Sequence, residues 1–188
     1  SSFGDVDGDG DLDLVITGDN GTTTSATLYT NDGDGNFSAA SAGFTGVQSG
    51  SSSFGDVDGD GDLDLVITGR DGLAATATLY TNDGDGNFSA ASAGLTGVDS
   101  SSSSFGDIDR DGDLDLLITG FDSSDTRTAT LYTNDGTGNF SVASAGLTGV
   151  SGGSSNFGDV DGDGDLDLVI TGSEGGDSTA TLYENQLF

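Results

Sequence analysis

Five aspartates fall on alternate residues near the start of the chain: Asp5, Asp7, Asp9, Asp11 and Asp13, within "FGDVDGDGDLDLVITG". Carboxylates packed this closely repel by about 1 kcal/mol per pair even at high dielectric. In a tight loop, with Gly8 and Gly10 letting the backbone curl, they converge on one point, which is the arrangement a cation needs. Calcium takes six to eight oxygens, mostly carboxylate and carbonyl. Loop positions 1, 3, 5 and 9 offer carboxylates from Asp5, Asp7, Asp9 and Asp13. Asp11, at position 7, is expected to give its main-chain carbonyl, and Asp13, entering the next strand, to be the bidentate anchor. The pattern departs from an EF-hand, whose twelfth position is Glu; here it is Ile16. Magnesium prefers fewer protein carboxylates, and zinc prefers His or Cys, of which the chain has none. The alternative, a set of solvated acidic turns, leaves the repulsion without a counter-ion.

The loop occurs four times. Its equivalents are Asp56, Asp58, Asp60, Asp62 and Asp64; Asp107, Asp109, Asp111, Asp113 and Asp115; and Asp159, Asp161, Asp163, Asp165 and Asp167. The third copy carries Arg110 where the others have Gly, a charge expected to weaken that site. The preceding Phe3, Phe54, Phe105 and Phe157 recur at intervals of 51, 51 and 52 residues. A period near 50 suits a four-stranded propeller blade better than a helical solenoid unit.

Each unit reads as four short strands. Strand A is the Ser-rich approach ending in "SFGDV". Strand B covers Leu12–Thr17, with Leu12, Leu14 and Ile16 on one face and Val15 and Thr17 on the other. Strand C covers Ala26–Thr30 and strand D covers Phe37–Ala42. Period-2 alternation and β-branched residues carry B and C. The turn "NDGDGNF", Asn31–Phe37, supplies the positive φ of a tight hairpin. It returns at Asn82–Phe88 and, as "NDGTGNF", at Asn134–Phe140. The Ser/Gly runs Gln48–Ser53 and Ser100–Ser104 read as leading into strand A, with linkers as the alternative. No helix is expected. The expected fold is all-β: one β-propeller-type array of four four-stranded antiparallel blades, the last lacking its fourth strand. The repeats are 3–53, 54–104, 105–156 and an incomplete 157–188.

The formal charge is −30, from 33 acidic and 3 basic residues. That field repels nucleic acid and anionic membrane surfaces, and no apolar run is long enough to insert in a membrane. The chain lacks Cys and Met; a mature product or a fragment of a longer chain is expected, and both fit secretion. Without His, Cys or Lys there is nothing to activate a nucleophile, so an enzyme is not expected. "NFS" at Asn36, Asn87 and Asn139 and "NGT" at Asn20 match a glycosylation sequon but read first as turns. The recurring Tyr29, Tyr80, Tyr132 and Tyr183 read as blade-to-blade packing.

The "FG" at Phe3–Gly4, the D-x-D-x-D-G-x-x-D loop and the "LYTNDGDGNF" that follows resemble the FG-GAP/VCBS repeat family over nearly the whole chain. The resemblance implies blades of a calcium-binding β-propeller, as in the integrin α-subunit head and many secreted bacterial proteins. It implies about one Ca²⁺ per repeat, held by the aspartates named above. Familiar closed propellers of this type are seven-bladed, and four units fall short of that. The expected function is a non-enzymatic, calcium-stabilised, extracellular or cell-surface repeat protein with a structural or adhesive role. Its expected partners are further repeats or further copies of the same chain, joined head to tail into a polymer or filament. The alternative is a lectin-like propeller that binds carbohydrate or a surface protein through the variable B–C loops.

Overall fold

The computed structural model describes residues 1–185; Gln186–Phe188, the end of the fourth repeat, lie outside the described residues. Fifteen strands form four antiparallel sheets of four, four, four and three strands, and no helix occurs among the described residues. The first sheet holds β1 (Ser2–Gly4), β2 (Asp13–Asp19), β3 (Thr24–Asn31) and β4 (Phe37–Ala40). The second holds β5 (Gln48–Gly55), β6 (Asp64–Arg70), β7 (Ala75–Asn82) and β8 (Phe88–Ala91). The third holds β9 (Asp99–Gly106), β10 (Asp115–Phe121), β11 (Arg127–Asn134) and β12 (Phe140–Val142). The fourth holds β13 (Ser155–Gly158), β14 (Asp167–Glu174) and β15 (Asp177–Tyr183). Each sheet is a simple meander, and the register repeats: Leu14, Leu65, Leu116 and Leu168 stand opposite Tyr29, Tyr80, Tyr132 and Tyr183.

The sheets stack in chain order as blades of a propeller-type array that does not close. The apolar clusters lie between sheets: one joins Val6, Val15 and Leu28 to Leu65, Ile67 and Tyr80. Another joins Val66 to Leu116, Ile118 and Tyr132, and a third joins Leu117 to Leu168 and Ile170. This explains why the middle strands β6 and β10 are buried on both faces. It also corrects the simple two-face reading of strand B. In β2 the Asp13/Val15 face packs on the second blade and is buried, while Ile16, on the opposite face, is exposed; Leu12 lies outside the strand altogether. Strand D ends at Ala40 rather than Ala42.

The Ser-rich runs are strand A itself, not linkers. These inner strands approach one another closely, where a small hydroxyl fits and finds a partner. Ser2 Oγ lies 3.0 Å from Ser52 Oγ, Ser53 Oγ donates to the Ser103 carbonyl at 2.9 Å, and Ser102 Oγ lies 3.2 Å from Ser155 Oγ.

The Phe-Gly pair that opens each repeat is an interlock between blades. A Cβ placed on Gly4 would sit 3.0 Å from both Phe54 and Leu63 of the next blade. Gly55 meets Phe105 and Leu114 in the same way, and Gly106 meets Phe157 and Leu166. Each Phe thus seats on the Gly of the blade before it, and any side chain there would push the two blades apart.

Candidate metal centres

Each Asp-rich loop bridges strands A and B of its own blade. In the first, Gly8 and Gly10 take φ of 71° and 93°, the left-handed region that glycine adopts without strain. Their N–H groups donate to the two carboxylate oxygens of Asp5 at 2.9 and 3.0 Å, which closes the loop around that side chain. Asp13, at the head of β2, is fully buried. Its Oδ2 accepts from Val6 N at 3.0 Å and its Oδ1 from Asn31 N at 2.9 Å. Asp64, Asp115 and Asp167 repeat both bonds. One lone pair per oxygen remains for a further partner.

The fold brings Asp5, Asp7 and Asp13 together, with one carboxylate oxygen of each within 4.8 Å of the others. Asp56, Asp58 and Asp64, Asp107, Asp109 and Asp115, and Asp159, Asp161 and Asp167 form the same triad. The fifth loop positions, outside these triads, also hold the backbone. Asp9, Asp60, Asp111 and Asp163 are exposed, and each Oδ1 accepts the backbone N–H two residues on, at 2.9 to 3.0 Å. They brace the loop. Asp11, Asp62 and Asp113 lay their carboxylates against Gly33, Gly84 and Gly136 of the strand C–D turn, where a side chain would collide.

Among the described residues no Arg pairs with a triad carboxylate. Burial and the neighbouring aspartates raise the carboxyl pKa of Asp7, Asp58 and Asp109. Asp64, raised chiefly by burial, is pushed up to about 6. Asp58 Oδ1 and Asp107 Oδ1 are buried with no hydrogen-bond donor. A buried carboxylate oxygen without a donor is costly, and a cation in the triad removes that cost. Three carboxylates form an all-oxygen donor set, which fits a hard divalent ion of the calcium type.

Arg110 distinguishes the third loop. It keeps the positive φ of the glycine it replaces, 63°, but the bond that Gly8 N makes to Asp5 has no counterpart to Asp107. Its guanidinium leaves the third triad and pairs with Asp165 of the fourth loop. The positive charge therefore falls on the next loop, not on its own.

The Asn two residues after each strand-C Tyr, which the sequence reading did not single out, and the Tyr itself, expected to pack between blades, tie the loops to neighbouring blades. Asn82 Nδ2 donates to the Val6 carbonyl at 2.8 Å while its N–H holds Asp64. Asn134 and Asn185 repeat this to Val57 and Ile108. Each Asn thus couples its own triad to the loop of the blade before. The signal was present, since an Asn follows two residues after every strand-C Tyr. The Tyr hydroxyls act beside them: Tyr80, Tyr132 and Tyr183 accept from Thr45, Thr96 and Thr148 N at 2.9 to 3.0 Å. These bonds anchor the connection between blades.

The sequence matches the FG-GAP-like repeat family at residues 5–67, 56–118 and 107–170, three overlapping matches each running from one Asp loop through the next. No curated protein matches the chain.

Proposed function

The chain belongs to the FG-GAP-like repeat family, and on that premise we propose that it is a calcium-stabilised, non-enzymatic extracellular repeat protein with a structural or adhesive role, whose copies join head to tail. Calcium follows from the donor set: Asp5, Asp7 and Asp13 and their equivalents would hold the ion, which neutralises the triad and pins strand A to strand B. Extracellular modules work with calcium affinities in the 10⁻⁴ to 10⁻³ M range, in keeping with loops whose outer aspartates face solvent. The single array built from repeats 3–53, 54–104, 105–156 and 157–188 is the unit of this reading.

The observation that carries the assembly is the state of the two end blades. The first exposes Phe3, Leu12, Ile16 and Phe37, the face that in later blades packs on the blade before. The last exposes Val160, Val169 and Leu182, the face that in earlier blades receives the blade after. Gly158 has nothing within 4 Å of its Cβ position, whereas Gly4, Gly55 and Gly106 are each covered by a Phe. The two faces are the halves of one interface formed three times inside the chain. Phe3 and Leu12 of a second copy would seat on Gly158 as Phe54 and Leu63 seat on Gly4. Such a heterologous contact leaves each end open and propagates.

Sedimentation in millimolar Ca²⁺ tests this. The native chain is expected to grow in mass with concentration, and Gly158→Val to stay monomeric with an unchanged melting temperature. A native chain that stays monomeric at every concentration contradicts the reading. In the variable B–C loops, Arg70 pairs with Asp99 at 3.0 Å and Arg127 lies over the Phe121 ring at 4.7 Å. Those side chains are already engaged, and no observation favours sugar binding there.

A further inference from the structure

The hairpin between β2 and β3 turns on Asp19-Asn20-Gly21-Thr22-Thr23, and Asn20 is the one asparagine of the chain that precedes a glycine. It lies exposed at the tip, its N–H donating to the Thr23 carbonyl at 3.3 Å. Its side-chain Oδ1 accepts from the N–H groups of Thr22 and Thr23, each at 3.0 Å. An Asx turn of this kind folds the amide carbon back towards the following backbone nitrogen. That nitrogen belongs to Gly21, whose φ is 86° and whose Cβ position has nothing within 4 Å, so no side chain crowds it. The Gly21 N–H donates to Oδ1 of the Asp19 carboxylate. A nucleophile, an amide carbonyl, a proton acceptor and two N–H donors on the carbonyl oxygen therefore meet in one exposed turn.

The second blade shows the same turn with an acid in place of the amide. In the β6–β7 hairpin Asp71 Oδ1 accepts from Leu73 N at 2.9 Å and Ala74 N at 2.8 Å, Asp71 N donates to the Ala74 carbonyl at 3.1 Å, and Gly72 takes a φ of 97°. The N–H groups of Ala74 and Leu73 hold the Asp71 carboxyl below its ordinary range. A carboxylate at position 20 would thus fit the turn with its backbone unchanged and its charge stabilised. The preceding residue differs: Arg70 stands where the first blade has Asp19, and it pairs with Asp99. Other asparagines lack the arrangement. Asn36, Asn87 and Asn139 precede Phe, and their Nδ2 groups already donate to Asp32, Asp83 and Asp135.

We propose that Asn20 is a self-modification site, at which the folded turn converts the amide to an acid through a cyclic imide. The Gly21 nitrogen attacks Asn20 Cγ, and its proton passes to the Asp19 carboxylate. The Thr22 and Thr23 N–H groups stabilise the negative charge that develops on Oδ1. The N–Cγ bond forms, the Cγ–Nδ2 bond breaks, and Nδ2 leaves as ammonia with the proton that Asp19 held. Water then opens the imide. Opening at Cγ gives aspartate, the turn seen at Asp71; opening at the main-chain carbonyl carbon gives isoaspartate, which adds a methylene to the backbone. Strand β2 runs from the triad residue Asp13 at one end to this turn at the other, so no metal-triad residue takes part.

The test is incubation of the full folded chain in millimolar Ca²⁺ at neutral pH, followed by peptide mass mapping and enzymatic methylation of isoaspartate. Position 20 is expected to gain the mass of one amide-to-acid exchange, with isoaspartate detected there, while the other asparagines stay amides. Asp19→Ser keeps a hydrogen-bond acceptor but no base, and should slow the conversion about tenfold or more; circular dichroism checks that this variant is folded. The same chain unfolded in urea should convert more slowly, because the turn's N–H donors and base are no longer in place. An Asn20 that remains an amide, an equal rate in Asp19→Ser, or conversion at least as fast in urea as in the folded chain would each overturn the proposal.

Discussion

At the scale of single residues, the aspartates divide into two electrostatic classes. Those in the triads are raised by burial and by one another, Asp64 to about 6. Those of the exposed turns, Asp32, Asp83 and Asp135, are held below the ordinary carboxyl range by the side chains of Asn36, Asn87 and Thr137. A carboxyl whose folded pKa lies above its unfolded value favours folding at low pH, and that contribution is lost as pH rises through the folded pKa. The depressed class behaves oppositely: its contribution is present at higher pH and is lost as pH falls below about 4. Metal-stripped chain is therefore expected to melt at a higher temperature near pH 4.5 than near pH 7.5. Thermal melts followed by circular dichroism check this, and a metal-stripped chain most stable at neutral pH would contradict it. The aspartate loop was legible because its spacing recurs in register four times. The division of labour within it was not. Nothing in "DVDGDGDLD" says that Asp9 spends an oxygen bracing the backbone, or that Asp13 is buried with both oxygens on N–H groups.

At the scale of elements, strands B and C were readable from alternation and β-branched residues, and they run a little longer than expected: β2 reaches Asp19 and β3 spans Thr24–Asn31. Strand A was harder, because serine has no strong preference for a strand. Its reason for being there is the neighbouring inner strand, which no local pattern reports. The Phe-Gly interlock was likewise visible as letters but not as a contact. It makes a paired prediction. Gly106→Val would drive a side chain into Phe157 and Leu166, since even a Cβ there lies 2.7 Å from the Phe157 ring. Overpacking of that kind costs about 1–3 kcal/mol. Gly158→Val meets nothing and should leave folding stability unchanged. Urea denaturation of the two variants compares them directly, and equal stabilities would remove the interlock as a source of blade-to-blade cohesion.

For the molecule as a whole, the period near 50 residues and the truncated fourth unit were enough to expect four stacked meanders, the last one short. The faces that stay bare could not be assigned from the sequence, since Ile16 and Ile67 occupy the same repeat position yet only the first is exposed. Position in the stack decides this. Cohesion along the stack runs through modest clusters of apolar residues, through Asn and Tyr clamps, and through the Asp-rich loops of a chain whose net charge is −30. Because every Asn clamp joins one triad to the loop of the preceding blade, ion binding in one blade should stiffen its neighbour, coupling metal to fold across the array. The most direct measurement is a calcium titration of the metal-stripped chain, with heat and circular dichroism recorded together. Binding of about one Ca²⁺ for each of the four triads, with a gain in β signal and melting temperature that Mg²⁺ does not reproduce, is the expected result. Absence of binding, or binding that leaves both the β signal and the melting temperature unchanged, would contradict a calcium-stabilised fold.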